Sequence, residues 1–348
     1  MVSEIFTLKW DQGKLILIDQ TLLPNEIAYR SYDTIEGVYE AIKTMVVRGA
    51  PAIGVASGYA MVLAAYKAPK TSCKEFYNYL KDRGEYLTSS RPTAVNLEWA
   101  VNRMLKKAEE SAEYDIPQII EKLEDEAVKI HEEDKAINRA IGENLLGLLK
   151  EGDTVLTHCN AGALAASEYG TALSVFYLAK ERGFPLKVYV DETRPRLQGA
   201  KLTAFELYHA GIDVTLISDN MAAVVMSQGR IDAVIVGCDR VAANGDAANK
   251  IGTLNVSILA KHFGIPMYIA APTPTIDMNC PTGKNIPIEE RDESEIKEIN
   301  GKLIAPEGVK VYNPSFDVTP AENITAIVTE KGVVYPPYKE NLAELFED

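Results

Sequence analysis

Apolar positions change rhythm partway along the chain. Through residues 1–25 they alternate around Trp10 and Leu15–Ile18, which predicts a small antiparallel hairpin turning near Asp11-Gln12-Gly13. From Asp33 to Leu149 they recur at three- and four-residue spacing, the period of amphipathic helices. Arg48-Gly49-Ala50-Pro51 interrupts that pattern, with Pro51 placed to open the next helix. "DRGEYLTSSRPTAVNLEWAV" (82–101) interrupts it again, Arg91-Pro92 standing just before another helix. The segment 117–150, charged on one face, reads as a long helix joining two halves.

The second half alternates. Thr154–Thr157, Leu186–Val190, Val214–Ile217, Ala233–Val236 and Met267–Ala271 are short runs rich in Val, Ile and Leu, most of them separated by helical stretches. That predicts a parallel sheet covered by helices. Runs at Val309–Tyr312 and Ile324–Val328 are expected to add strands. The fold class is therefore α/β: a mostly helical N-terminal domain with a small β hairpin over residues 1–130, then a parallel-sheet domain over 131–348.

Polar residues gather directly after the apolar runs. His158-Cys159-Asn160-Ala161-Gly162 follows the first, Asp191 to Gly199 the second, Ser218-Asp219-Asn220 the third, Cys238 to Thr253 the fourth and Pro272 to Thr275 the fifth. Parallel α/β sheets bind ligands at the carboxyl ends of their strands, so these residues describe one lined cleft. Turn formation and helix capping account for Ser218-Asp219 and for Asn244-Gly245-Asp246. They account less well for Cys159, a poor cap, and for Asp239, which directly follows a buried strand. Alternation aims Cys238 away from Asp239, into packing.

The net charge of −14 argues against a general nucleic-acid or anionic-membrane partner, though not against a small phosphorylated ligand held by a few local cations. Cysteines at 73, 159, 238 and 280 lack CxxC spacing, as expected of reduced thiols in the cytoplasm. Histidines at 131, 158, 209 and 262 form no zinc pattern, so no metal is expected. No signal-peptide profile and no apolar run near the ~18 residues of a membrane span is present. The absence of G-x-G-x-x-G and of a Walker lysine argues against dehydrogenase-type and P-loop nucleotide sites. An anion site of backbone amides remains, at helix N-termini expected after Gly162, Gly199 and Asn244-Gly245, with charge from Arg48, Arg91, Arg194 or Lys250.

"RGAPAIGVASGYA" (48–60), "THCNAGALA" (157–165), "DETRPRLQGAKLTAFEL" (191–207), "GCDRVAANGDAANKIGT" (237–253) and "NPSFDVTPAENITAIVTEKG" (313–332) resemble the methylthioribose-1-phosphate isomerases. Their superfamily also holds regulatory subunits of the eukaryotic translation-initiation guanine-nucleotide exchange factor. The resemblance implies a helical domain on a Rossmann-like domain, a homodimer, and no cofactor. It implies Cys159 and Asp239 as the catalytic pair, Asp239 as general acid, and Arg48, Gly49, Ala50, Arg91, Gln198, Asn249 and Lys250 as substrate contacts. The Cys159/Asp239 pair argues for an enzyme over a non-catalytic regulatory subunit.

The implied reaction converts 5-methylthioribose 1-phosphate to 5-methylthioribulose 1-phosphate, a step of methionine salvage. 5-Deoxyribose 1-phosphate and ribose 1,5-bisphosphate are the alternative substrates. A second phosphate would need more cations than the acidic chain offers near its motifs. Because the anomeric oxygen carries phosphate, an acid must protonate the ring oxygen as the ring opens. Asp239 can serve if burial and the nearby phosphate raise its pKa. Hydrogen then moves from C2 to C1, as a proton with Cys159 thiolate as base, or as a hydride with Cys159 stabilising charge.

Overall fold

A computed structural model describes residues 5–92, 94–299 and 301–347. The chain divides into two compact units. One comprises the described residues up to Ile137 together with Ala163–Gly170; the other comprises Asn138–Gly162 and the described residues from Thr171 onward.

In the first unit, β1 (Leu8–Asp11) and β2 (Lys14–Ile18) form the expected hairpin. Gln12 and Gly13, at φ 49° and 73°, adopt the two positive-φ positions that match a tight turn to strand twist. A third strand, β3 (Tyr29–Tyr32), pairs with β2. Helices α1 (Ile35–Lys43), α2 (Ala50–Lys67), α3 (Cys73–Thr88) and α4 (Val95–Glu110) follow, then α5 (Ile116–Leu146), within which the boundary between the units falls. Helix α2 is apolar all round, and Ala52 to Ala65 are buried without a break, so it is the spine of this unit's core. Gly49 caps it at φ 90°, and a Cβ there would lie 2.3 Å from the Ala165 carbonyl oxygen. Only glycine fits that approach.

A polar cluster sits inside this core. Trp10 stacks on Tyr59 with ring centroids 4.7 Å apart, and its indole N–H donates to Glu124 Oε1 at 2.7 Å. The Tyr66 hydroxyl donates to Glu124 Oε2 at 2.8 Å. The Tyr59 hydroxyl lies 2.9 Å from His131 Nδ1, and His131 Nε2 is buried without a hydrogen-bond partner. Burial, reinforced by the Lys135 charge, lowers the His131 pKa from 6.5 to about 4. The folded chain thus takes this proton less readily than the unfolded chain. The neutral ring's contribution is complete above pH 6.5 and is lost as pH falls from 6.5 through 4. That shift corresponds to about 3 kcal/mol. The urea midpoint should fall steeply over this window in the native protein and less steeply in His131→Phe; equal slopes would remove His131 as the cause.

The second unit carries β4 (Thr154–Thr157), α6 (Ser174–Glu181), β5 (Lys187–Asp191), α7 (Ala204–His209), β6 (Asp213–Ile217), α8 (Ala222–Ser227) and β7 (Ala233–Gly237). Then come β8 (Arg240–Ala242), β9 (Ala247–Lys250), α9 (Thr253–Phe263), β10 (Met267–Ala270) and the short strand β11 (Ile276–Asp277). A one-turn helix α10 (Ser294–Lys297) leads to a two-stranded ribbon, β12 (Glu298–Ile299) and β13 (Lys302–Leu303). The chain ends with β14 (Phe316–Thr319), β15 (Ala326–Thr329), β16 (Gly332–Val334) and α11 (Tyr338–Ala343).

The main sheet has seven strands in the order β16-β15-β10-β7-β4-β5-β6. From β15 to β6 every pair is parallel, and β16 closes one edge antiparallel. The chain steps outward from β4 to β5 and β6, then returns to β7 on the other side of β4 and continues to β10 and β15. Strand order therefore reverses between β4 and β7. A doubly wound α/β fold opens its ligand crevice there, at the strands' carboxyl ends.

Four features depart from the sequence reading. Val309–Tyr312 forms no strand; preceded by Pro306 and Gly308 and followed by Pro314, it is irregular, and Phe316–Thr319 takes that role. Ile324–Val328 supplies β15 two residues later, at Ala326–Thr329. The residues after β7 do not lead straight into a helix: they form the hairpin β8–β9, part of a second sheet ordered β11-β8-β9-β14. The expected helix N-terminus at Asn244-Gly245 is therefore that hairpin's turn, with Gly245 at φ 88°. Its amides are spent: Gly245 N–H donates to Ala242 O at 2.8 Å and Asp246 N–H to Asn244 Oδ1 at 3.2 Å. Asp246 is structural, its carboxylate accepting the Gly283 and Ala321 N–H groups at 2.9 Å each. Among the described residues no helix is long and apolar enough to cross a membrane.

Candidate active site

Strands β4 and β7 neighbour each other at the switch point, with Val155 opposite Ala233 and Leu156 opposite Val234. Cys159 stands two residues beyond β4, and Asp239 two residues beyond β7. Adjacent strands lie ~4.8 Å apart, so both residues leave the sheet at its central crevice. All five residues of β7 are buried. A Cβ on Gly237 would lie 2.6 Å from Ala161 Cβ. Glycine at that position lets the turn carrying Cys159 settle directly on the end of β7.

The Cys159 turn is strained and tightly held. Cys159 has φ 67°, and across the crevice floor Thr193 and Leu197 have φ 65° and 60°. Left-handed backbone at non-glycine residues costs on the order of 1–3 kcal/mol each and persists only where the surroundings enforce it. Here they do. Cys159 N–H donates to Thr193 Oγ1 at 2.9 Å, and Thr203 Oγ1 donates to Cys159 O at 2.6 Å. Thr193 and Arg194 N–H groups both donate to the Asp219 carboxylate, at 2.7 Å each. Asn160 Nδ2 donates to Thr203 Oγ1 at 3.1 Å, and Tyr177 donates to the buried Glu206 carboxylate at 2.7 Å.

The other expected site residues of this unit fall around the same strand ends. Gln198 precedes the wide helical turn Gly199–Thr203, and its Oε1 is buried without a hydrogen-bond partner, an acceptor still to be matched by a donor. Gly199 is obligatory, since a Cβ there would strike the Asp191 carbonyl oxygen. Asn249 and Lys250 end β9, both buried. Asn249 Nδ2 donates to Thr253 Oγ1 at 3.0 Å. Lys250 Nζ donates to Ser315 O at 2.9 Å and lies 4.4 Å from the Phe316 ring centroid. Arg194, a candidate anion ligand, instead donates to the Ile296 and Pro195 carbonyl oxygens at 2.9 and 3.1 Å.

The remaining expected contacts belong to the first unit. Arg48, Gly49 and Ala50 form the entry to α2, where Gly49 abuts Ala165. Arg91 lies in the turn between α3 and α4, its N–H donating to Thr88 O at 3.2 Å. The segment Ala163–Gly170, which follows the Cys159 turn in the chain, is part of that first unit.

Asp239 is exposed, and its N–H donates to Ala248 O at 2.8 Å. The expectation that the protein buries this carboxyl is thus not met by its own surroundings. Cys238 is partly covered and lies against the apolar core formed by β7, β10 and β15. Burial, then the Asp239 charge, push its thiol up, away from the thiolate form. None of the four cysteines is in a disulfide.

Sequence reasoning passed over His158 and Asp191. His158 Nδ1 lies 3.0 Å from Asp191 Oδ2, and His158 Nε2 lies 2.9 Å from Ile251 O. The signal was available in part: a histidine one residue past β4 and an aspartate closing β5, the next strand of a parallel sheet. Ligating atoms of His158, Asp191 and Asp219 lie within 4.8 Å of one another. Both imidazole nitrogens are engaged, each Asp219 oxygen accepts one N–H, and Asp191 Oδ1 is buried without a hydrogen-bond partner.

The Initiation factor 2 subunit family matches residues 46–336. A Clostridium botulinum protein named 5-deoxyribose 1-phosphate isomerase is 66% identical over 99% of this chain and 100% of its own. A Bacillus thuringiensis protein of the same name is 59% identical, with 100% of each chain covered. A crystal structure of 5-methylthioribose 1-phosphate isomerase from Pyrococcus horikoshii OT3 is 46% identical, with TM-score 0.95, covering 99% of this chain and 97% of that one. A structure from A. fulgidus described as the translation initiation factor eIF-2B delta subunit is 45% identical, with TM-score 0.91, covering 98% and 99%. The chain belongs to the Initiation factor 2 subunit family.

Proposed function

We propose that this protein is an aldose–ketose isomerase acting on ribose 1-phosphates with an apolar 5-substituent, 5-deoxyribose 1-phosphate first among them. The observation that carries the reading is the placement of Cys159 and Asp239 beyond β4 and β7, the two strands of the switch point. The choice of substrate is supported by relatives at 66% and 59% identity that bear the 5-deoxyribose name, against 46% for the methylthioribose structure. The two sugars share the 1-phosphate and differ only in the group carried on carbon 5. 5-Methylthioribose 1-phosphate is therefore the second substrate of this reading.

In the reaction Asp239 donates a proton to the ring oxygen as the C1–O bond to it breaks. Its carboxyl is exposed, so the bound substrate supplies the conditions that keep it protonated. The sugar covers the group, and the phosphate dianion disfavours a second negative charge beside it. Hydrogen then passes from C2 to C1, and the 2-hydroxyl loses its proton as the C2 carbonyl forms, which balances the proton given to the ring oxygen. If Cys159 acts as the base, solvent deuterium enters at C1; a hydride shift leaves it out. The positive φ of Cys159 and the bonds to Thr193 and Thr203 fix the direction in which its thiol leaves the turn.

Purified protein should convert 5-deoxyribose 1-phosphate and 5-methylthioribose 1-phosphate, the first with the higher kcat/KM, and leave ribose 1,5-bisphosphate nearly untouched. Preference for the bisphosphate would overturn the apolar-substituent reading. Lys250 and Arg91 are assigned to the phosphate. Arg91→Ala and Lys250→Ala should each raise KM by ~10–10²-fold, the usual worth of a charge-assisted hydrogen bond. The loss should shrink as salt rises and screens the native contact. An unchanged KM in both variants would misplace the anion site.

A further inference from the structure

Histidine 158 is almost wholly buried, and both of its ring nitrogens face acceptors: the Asp191 carboxylate at 3.0 Å and the Ile251 carbonyl oxygen at 2.9 Å. A neutral imidazole carries one N–H, so with an ionised Asp191 one of these contacts would set lone pair against lone pair. In a buried setting that conflict is expensive. Two protons satisfy the chain from Asp191 through the ring to Ile251. The ring's neighbours agree. A Cβ on Gly252 would lie 2.7 Å from His158 Cε1, so glycine there lets the turn close onto the ring. Asp317 fixes the same turn by accepting the Gly252 and Leu254 N–H groups at 2.7 and 3.0 Å.

The positions joined this way are the reason to assign a role. His158 directly precedes Cys159, and Ile251 directly follows Asn249-Lys250. We infer that His158 is a positioning residue: with a proton held in each of its two contacts, its ring braces the Cys159 turn against the Ile251–Gly252 turn. It thereby fixes Cys159 relative to Asn249 and Lys250. The charged groups that act on the ring from β5, the turn after β6, and β14 are Asp191, Asp219 and Asp317, all acidic. Burial by itself would lower the histidine's pKa, yet the bond and charge of Asp191, the Ile251 bond and the Asp219 charge together outweigh it, and the net direction is upward.

The brace rests on the proposed isomerase site for its consequence but not for its detection. Side-chain ¹H–¹⁵N NMR of the native protein should show a protected proton in both contacts of His158, retained from pH ~6 to ~9 where a free imidazole would lose one. A ring that titrates near its ordinary value, or one contact without a proton, would overturn the inference whether or not the protein turns over any sugar. In kinetics, His158→Gln should lower kcat and raise KM together, with about 10²-fold lost in kcat/KM from misplacement alone. Asp191→Asn separates bracing from charge. Its amide N–H can donate to Nδ1 while Nε2–H donates to Ile251, so both contacts survive in a neutral pair. It should retain most of the native kcat/KM, whereas Asp191→Ala should fall with His158→Gln. Equal damage from Asp191→Asn and Asp191→Ala would refute the brace.

Discussion

Asp239→Asn is expected to lower kcat by ~10²–10⁴-fold, the usual worth of a general acid, with little change in substrate affinity. The amide keeps the shape of the carboxyl and its hydrogen-bonding reach but has no proton to give. Asp239 is exposed and starts the hairpin through its backbone N–H, donated to Ala248 O, which the substitution leaves intact. A variant with nearly native kcat would strip Asp239 of the acid role. A variant that loses binding and kcat alike would recast it as a substrate contact.

The second large effect concerns the thiols. Cys159→Ser should nearly abolish turnover, because a hydroxyl is a far weaker acid–base partner than a thiol at neutral pH. Cys238→Ser should keep most of its activity and lose some stability, since its side chain lies against the apolar core and burial already holds that thiol protonated. Labelling sharpens the contrast. Substrate should protect Cys159 from alkylation and leave exposed Cys73 equally reactive with or without it. Rapid turnover by Cys159→Ser, or identical Cys159 labelling in both conditions, would take Cys159 out of the chemistry.

Much of the frame was legible because parallel strands, buried on both faces, read as unbroken Val, Ile and Leu runs. Thr154–Thr157 matches β4 residue for residue, and Ala233–Val236 lacks only Gly237 of β7. The strand Tyr29-Arg30-Ser31-Tyr32 escaped notice because it is an exposed edge with no apolar alternation to betray it. The β8–β9 hairpin was hidden for a different reason. Ala247-Ala248-Asn249-Lys250 is buried along its whole length, so its small and polar residues give neither the alternation of a half-exposed strand nor the branched run of a core strand. Missing it misplaced a helix start at Asn244-Gly245.

The crevice was legible as a set of polar strand ends, but strand order was not. Nothing in the local pattern says that β7 returns to the far side of β4, and that return places Cys159 beside Asp239's strand. The same gap concealed His158 and Asp191, whose pairing depends on β5 lying next to β4. The exposure of Asp239 could not be read from its buried strand either, because the chain turns away into the hairpin at that residue.

The most direct test of the central claim is a ¹H NMR time course of purified protein with 5-deoxyribose 1-phosphate. Native protein should consume the anomeric signal and build up the ketose 1-phosphate, with its phosphate ester intact, while Asp239→Asn under identical conditions leaves the aldose unchanged. An unchanged aldose with native protein, or equal conversion by native and Asp239→Asn protein, would contradict the assignment of this crevice to sugar-phosphate isomerisation.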